Sequence, residues 1–417
     1  MKSFKKLGIA LALSSVFTLS AQAEEVEVLH YWTSGGEAKS LIELKNLLES
    51  KSVSWKDFAV AGGGGENAMT VLKTRAVAGN APTAAQIKGP TIQEWGDEGT
   101  LADINDVAVK EGWDDLLPSV VSSVMKYDGK YVAAPVNVHR VNWMWSNPEV
   151  FKKAGATLPT TWDEFFIAAD KIKAAGMTAV AHGGQPWQDL TVFESVALGV
   201  GGADWYRKAF VEVDMDTLTG DTMIKALETF KKIKQYIDKG APGRDWNLAT
   251  AMIIRGEAGM QFMGDWAKGE FSVAGKKPGV DYGCHAAPGT VNAFTFNIDS
   301  FAMFKQNSDD AKSGQAKLAS AIMDPKFQEV FNLNKGSIPA RLGMSMDNFD
   351  DCAKLSSVNF SSNAKSGTLV PSMAHGMATF SSVSGAMSDA VTEFFNSDSI
   401  SAKEAADKMA KAVKAAM

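Results

Sequence analysis

The chain is poor in the residues from which metal centres and nucleophilic active sites are built. Among 417 residues there are five histidines and two cysteines. His30, His139, His182, His285 and His375 are scattered without the short spacing of metal ligands, which favours a structural role for each. Neither an H-E-x-x-H zinc motif nor a G-x-S-x-G nucleophile elbow occurs. Four glycines at 62–65 lack the following Gly-Lys-Ser/Thr of a phosphate loop and read as a flexible turn. Ser123-Val124-Met125-Lys126 matches S-x-x-K, but without a K-T-G element the match is chance. Positive charge is short too: 42 Lys plus Arg face 48 Asp plus Glu, with no basic block of five, which argues against a nucleic-acid partner. Internal repeats and low-complexity segments are absent.

What is present is an ordinary globular composition, 45% apolar and 9% aromatic, enough to build substantial cores. The length suggests two or three domains. Residues 1–23 carry the three parts of a secretory signal: Lys2, Lys5 and Lys6, the apolar stretch 7–20, and Ala21-Gln22-Ala23 as cleavage site. The apolar stretch is too short and too rich in Ser and Thr for a membrane anchor. Cleavage would leave a mature chain from Glu24 with 39 basic and 48 acidic residues, net charge −9. Nothing later resembles a membrane span, so the expected location is the periplasm of a Gram-negative cell. Export permits a disulfide between Cys284 and Cys352; two separate buried thiols are the alternative. Two distant cysteines are too few for a metal site.

Residues 25–31 and 53–60 read as strands, each followed by an apolar-periodic helix, which predicts a parallel sheet in an α/β domain. Ligands in such sheets sit beyond the C-terminal strand ends, where the first two turns fall. Residues 148–277 are helix-dense. Asp128-Gly129 marks a two-residue hairpin, and Thr161 with Glu164, like Ser401 with Glu404, fits a capping box. A strand over 294–304 would point Phe294, Phe296 and Ile298 one way and project Asn297 and Asp299 together from the other face.

Eleven tryptophans are the remaining signal. Trp95, Trp113, Trp162 and Trp205 lie on helix-like stretches and read as core, whereas Trp32, Trp187 and Trp266 lie in polar, loop-like contexts. A pyranose presents an apolar face to an aromatic ring while its hydroxyls need charged or amide partners. A glycosidase would use similar groups, with two carboxyls flanking the bond, and Glu37, Asp265 and Asp299 are candidates for that chemistry. A secreted carbohydrate-active enzyme is therefore the competing class.

Six segments in a fixed order carry a resemblance: EVLHYW at 27–32, AGNAP at 78–82, YDGKYVAAP at 127–135, AGATLPTTWDE at 154–164, GEAGMQFMGDW at 256–266 and NKGSIPAR at 334–341. Across the whole mature length the chain is similar to the periplasmic sugar-binding proteins of bacterial ABC importers, in the maltose-binding-protein-like group, and most of all to pseudomonad glucose-binding proteins. The resemblance implies an α/β, two-lobed periplasmic-binding-protein fold with three hinge crossings, near 135–140, 287–293 and 337–342. The N-terminal lobe would comprise 24–136 plus 292–338, and the C-terminal lobe 137–291 plus 339–417. It implies a non-enzymatic monomer without cofactor that carries a monosaccharide, an aldohexose such as glucose, to an inner-membrane permease, with a chemoreceptor as a further partner. Matched position by position, Tyr31 and Trp32 would offer aromatic surface, Glu37 would accept from a hydroxyl, and Lys88 and Lys335 would donate. Asn297 and Asp299 would bind hydroxyls, His375 would reach in from the C-terminal lobe, and Trp266, with Asp265 beside it and Trp187 as a further wall, would stack on the opposite sugar face. The disulfide would tie two segments of the C-terminal lobe or brace it near a crossing.

Overall fold

The computed structural model describes residues 24–417, so the expected signal segment at 1–23 lies outside the described residues. One sheet of five strands runs in the order Val53–Ala59, Glu24–His30, Ala84–Ile87, Ser300–Met303, Ala133–Pro135. Glu24–His30 is parallel to both neighbours, as the strand–helix alternation predicts, and Ser300–Met303 enters antiparallel. The helix Gly35–Ser50 buries Leu41, Leu44 and Leu48 on one stripe against this sheet. Its first turn is closed by Glu37, whose Oε2 accepts from the backbone N–H of Thr33 and Ser34 at 3.2 and 3.3 Å.

A second sheet orders Gly283–Ala286, Trp143–Ser146, Ala258–Phe262 and Thr178–Val180, with its own core. Long helices surround it, among them Trp162–Ala174, Pro186–Phe210, Ser381–Asn396 and Ala402–Ala416. The capping box at Thr161 forms in both directions. At Ser401 only the forward bond forms, Oγ accepting from Glu404 N–H at 3.2 Å. Asp128 and Gly129, at φ 48° and 75°, make the expected hairpin turn.

Between these sheets lies a third, of three short strands in the order Leu369–Pro371, Phe294–Asn297, His139–Arg140. The expected single strand over 294–304 is therefore two. Phe294–Asn297 belongs to the crossing sheet and Ser300–Met303 to the first sheet, and the chain changes sheets at Ile298-Asp299. The backbone of Asp299 stays paired through the break: its N–H donates to Asn137 Oδ1 at 3.1 Å and its carbonyl accepts from Val136 N–H at 2.8 Å. The result is the two-lobed fold that the resemblance implies.

Cys284 and Cys352 are bonded, with Cα atoms 6.1 Å apart. Cys284 lies in the second sheet, and Cys352 opens the helix Asp351–Ser366, which lays Ala353 and Phe360 against the first core. The bond thus fastens the second sheet to a helix that leans on the first lobe.

Candidate functional site

A cavity of about 360 Å³ lies between the lobes. That is at the small end of the range for small-molecule sites, roughly 300 to 1,000 Å³. Ten of the expected ligand-binding residues line it: Tyr31, Trp32, Glu37, Lys88, Trp187, Trp266, Asn297, Asp299, Lys335 and His375.

The first-lobe wall gathers at strand ends. Tyr31 and Trp32 follow Glu24–His30, Lys88 follows Ala84–Ile87, Asn297 and Asp299 sit at the change of sheet, and Lys335 ends the helix Pro325–Lys335. Lys335 Nζ donates to Glu37 Oε1 at 2.8 Å and lies 5.3 Å from the centre of the Trp32 ring. Trp32 itself is buried, edge-on to Phe301 and against Phe331, so it supports Lys335 from below more than it offers a free face. Lys88 Nζ sits 5.4 Å over the Tyr31 ring and, among the described residues, makes no ion pair. The Tyr31 hydroxyl and Asn297 Oδ1 are buried with no hydrogen-bond partner among the described residues. A buried polar group left in this state is costly unless something completes it, and both residues line the cavity.

The second-lobe wall is a cluster of rings. Trp187, expected in a loop, stands in the first turn of the helix Pro186–Phe210, where its indole N–H donates to Gln185 Oε1 at 2.8 Å. Trp266 precedes the helix Ala267–Val273, and His375 follows the strand Leu369–Pro371. The His375 ring lies 4.8 Å from Trp266 and 5.8 Å from Trp187, and the two indoles are 6.4 Å apart. The glycine run is fitted to this wall and is not merely a flexible turn. At Gly64, φ 61°, a Cβ would come within 2.9 Å of the Trp187 ring, and at Gly65, φ 114°, equally near Tyr31.

Asp265 departs from expectation. It does not line the cavity; its carboxylate accepts from Arg140 N–H at 2.9 Å and pairs closely with His139 Nδ1. The other ring nitrogen, His139 Nε2, bonds Asp299 Oδ2 at 2.9 Å, and Asn137 Nδ2 donates to the same oxygen at 3.2 Å. His139, in the crossing sheet, is thus gripped by an acid from each side. In the sequence it is one of the five scattered histidines. The available signal was the polar set Asn137, His139, Arg140 and Asn142 within an otherwise apolar stretch, all of them buried. Gln185, Asp245, Trp246 and Asn247 also line the cavity without having been singled out. Among the described residues, no group of three or more His, Cys, Asp or Glu is placed to hold a metal ion.

The site's charges are set by this packing. Burial pushes the Asp299 carboxyl up, but His139, Lys335 and Lys88 outweigh it and hold the group far below the usual carboxylate range. Burial pushes His139 down, and Asp265 and Asp299 outweigh that, so its value is raised. Lys88 is lowered by burial, partly offset by Asp299. His375 is driven well below its ordinary value by burial, then by Lys88 and His139, which leaves a neutral ring near pH 7. Burial also raises the Tyr31 phenol, keeping it a donor.

The lobes touch around the cavity. Glu94 accepts from Ser381 N–H and Oγ–H at 2.6 and 2.8 Å, and Glu270 accepts from Gly36 N–H at 2.9 Å. At Gly89 and Gly36 the opposing backbone comes so near, Gly376 and Gly269 respectively, that a Cβ would collide.

A cleft between two α/β lobes, charged on one wall and aromatic on the other, defines a ligand-capturing protein. The chain belongs to the bacterial extracellular solute-binding protein family, whose model matches residues 57–319. It is 49% identical over 416 residues, the full length of both chains, to a "Probable sugar-binding periplasmic protein" of Rhizobium meliloti (strain 1021). Its fold matches a chitin oligosaccharide binding protein with TM-score 0.80 at 19% identity, covering 94% of this chain and 98% of the other. It also matches the bacterial solute receptor AcbH, described as exclusive for β-D-galactopyranose, with TM-score 0.77 at 18% identity, over 94% and 97% of the two chains.

Proposed function

We propose that this protein captures a monosaccharide, an aldohexose such as glucose, in the interlobe chamber and presents it to an ABC permease of the inner membrane. It would work in the periplasm once residues 1–23 have been removed. The observation that carries the reading is the set of uncommitted polar atoms, Lys88 Nζ, Tyr31 Oη and Asn297 Oδ1, facing the Trp187–Trp266–His375 rings across one small cavity. A pyranose needs polar groups around its edge and an aromatic ring on its face. The sugar-binding relative supports the class of ligand, and the cavity is large enough for a hexose ring. Hydrogen bonds to charged groups contribute about 1.5 to 3 kcal/mol each. Several of them, less the cost of association and ordering, reach the roughly −8 kcal/mol of micromolar binding. A ligand held by both walls binds the closed form better than the open one and so draws the lobes together.

The hydrolase reading needs a carboxyl raised to act as proton donor at neutral pH. Asp299 is driven the opposite way, Asp265 is turned onto His139, and Glu37 is bonded to Lys335. Calorimetric titration of the mature chain against a panel of mono- and disaccharides tests the proposal. An aldohexose should bind near one to one and be recovered unchanged; heat from disaccharides alone, or turnover of glucosides, would overturn it.

A further inference from the structure

The helix Pro186–Phe210 reaches the cavity through Trp187 but supports it through a stripe one and two turns further on. Thr191 Oγ1 lies 3.2 Å from His375 Nε2. Glu194, fully buried, turns both carboxylate oxygens to the segment that carries His375. Its Oε1 accepts from Ser372 Oγ–H at 2.8 Å, and its Oε2 accepts from the N–H of Met373 at 2.9 Å and of Ala374 at 3.2 Å. Tyr206 Oη–H donates to the same Oε2 at 2.9 Å. Ser372 Oγ in turn accepts from His375 N–H at 3.1 Å. Trp187, Thr191 and Glu194, at i, i+4 and i+7, therefore lie along one face of a single helix, and all three meet the 372–375 segment.

We infer that Glu194 is a positioning residue for ligand capture: its buried carboxylate fixes the 372–375 turn and so sets where His375 stands in the cavity. The geometry suits the ionised form, because every group around the carboxylate is a donor. Protonation would turn one of these acceptor bonds into a donor bond, which Ser372 Oγ or Tyr206 Oη takes up only by redirecting its own hydrogen away from Glu194, so the carboxyl would hold the turn with fewer bonds. Burial lifts this carboxyl to about 7, with its hydrogen-bond donors pulling it back. The titratable groups facing it are Tyr206, held well above its ordinary value, and His375, held neutral. Arg207 turns away to Asp204 and Gly367, and on the neighbouring helix Ser381–Asn396, Asp389 faces Glu66 while Glu393 pairs with Lys408. Asp299 is displaced downward and His139 upward, and Glu194, behind the cavity wall, is a buried carboxyl placed to titrate near pH 7.

The affinity part of this inference rests on the sugar reading, so the test has an arm that does not. In ligand-free protein, the ¹H–¹³C ring resonances of His375 are followed from pH 6 to 8 in the natural chain and in Glu194→Gln. The natural chain should show a titration step that the variant lacks; the same step in both would overturn the inference. In the second arm, glucose titration of the natural chain should tighten about threefold from pH 6 to 8, while Glu194→Gln is flat and weaker. A variant with natural affinity and a natural pH profile would also overturn it. Should the natural chain bind no sugar, the carrier reading fails and the resonance arm still decides the inference. Ser372→Ala, which removes one bond to Glu194 and the anchor of His375 N–H, covers the case of a Glu194→Gln chain that does not fold. It should weaken glucose binding several-fold in a chain that circular dichroism shows to be folded, and unchanged affinity would count against the inference.

Discussion

On the first lobe's side of the chamber stand four charged side chains, Glu37, Lys88, Asp299 and Lys335; on the second lobe's side stand Trp187, Trp266 and a neutral His375. The second wall does hold one acid, Asp245, but it accepts from Gln185 Nε2 at 2.7 Å. The contrast follows from what each kind of group needs. A buried charge requires partners from several directions, and the first wall is where two strand ends, a helix end and the crossing segment converge. A ring needs rigid backing, which one long helix and one short turn provide. Glu37 and Lys335 pair within the first lobe, so that wall is organised before the lobes meet, and the ring wall can then close over a ligand already held.

Four substitutions probe the difference between the two walls. Asp299→Ala should have the largest effect, on the order of a hundredfold loss of sugar affinity by calorimetry, because it removes a hydroxyl acceptor together with the carboxylate that balances His139, Lys335 and Lys88. A loss under tenfold would remove the first wall's primacy. Trp266→Ala should cost about tenfold, since it removes burial and stacking but leaves no unpaired charge. An effect as large as that of Asp299→Ala would invert the order of the walls.

His139→Asn tests the join between them through stability. His139 is raised, so its contribution is fully present below about pH 6.5 and is lost as pH climbs through the raised value. Asp299 is depressed, so its contribution is present above about pH 4 and lost as pH falls. The pair is complete between these limits. The variant's thermal midpoint should fall short of the natural chain's by several degrees at pH 5.5, and the gap should narrow on the alkaline side; a gap independent of pH would contradict the pairing. Cys352→Ala should have the smallest effect on binding. In the chain-entropy account, releasing a loop of this length costs on the order of 4 kcal/mol of folding stability, read by denaturant titration, with sugar affinity unchanged.

Much of the first wall was legible because its signals are local. Asn297 and Asp299 are two residues apart, and Tyr31 follows its strand directly. Their joint placement survives even though the strand breaks: Asn297 Nδ2 donates to Asp299 Oδ1 at 3.4 Å. The break itself was not legible, since an alternating apolar pattern does not say which sheet each half joins. Asp265 was misplaced for a related reason. Adjacent to Trp266 in sequence, it turns to a histidine 126 positions away, a contact that no local spacing encodes. Trp187 reads as a loop residue because Gly and Pro precede it, yet Pro186 is the first residue of a helix, where its missing N–H does no harm. Glu194 gives no outward sign in the sequence, because three of its four partners, Ser372, Met373 and Ala374, are brought up by a turn far along the chain.

The most direct test is a crystal structure of the mature chain grown with saturating glucose. The account predicts one hexose between the walls, with its hydroxyls on Lys88, Asn297 and Asp299 and a ring face against Trp266. A hexose bound elsewhere, or one whose hydroxyls avoid Asp299 and Lys88, would contradict it.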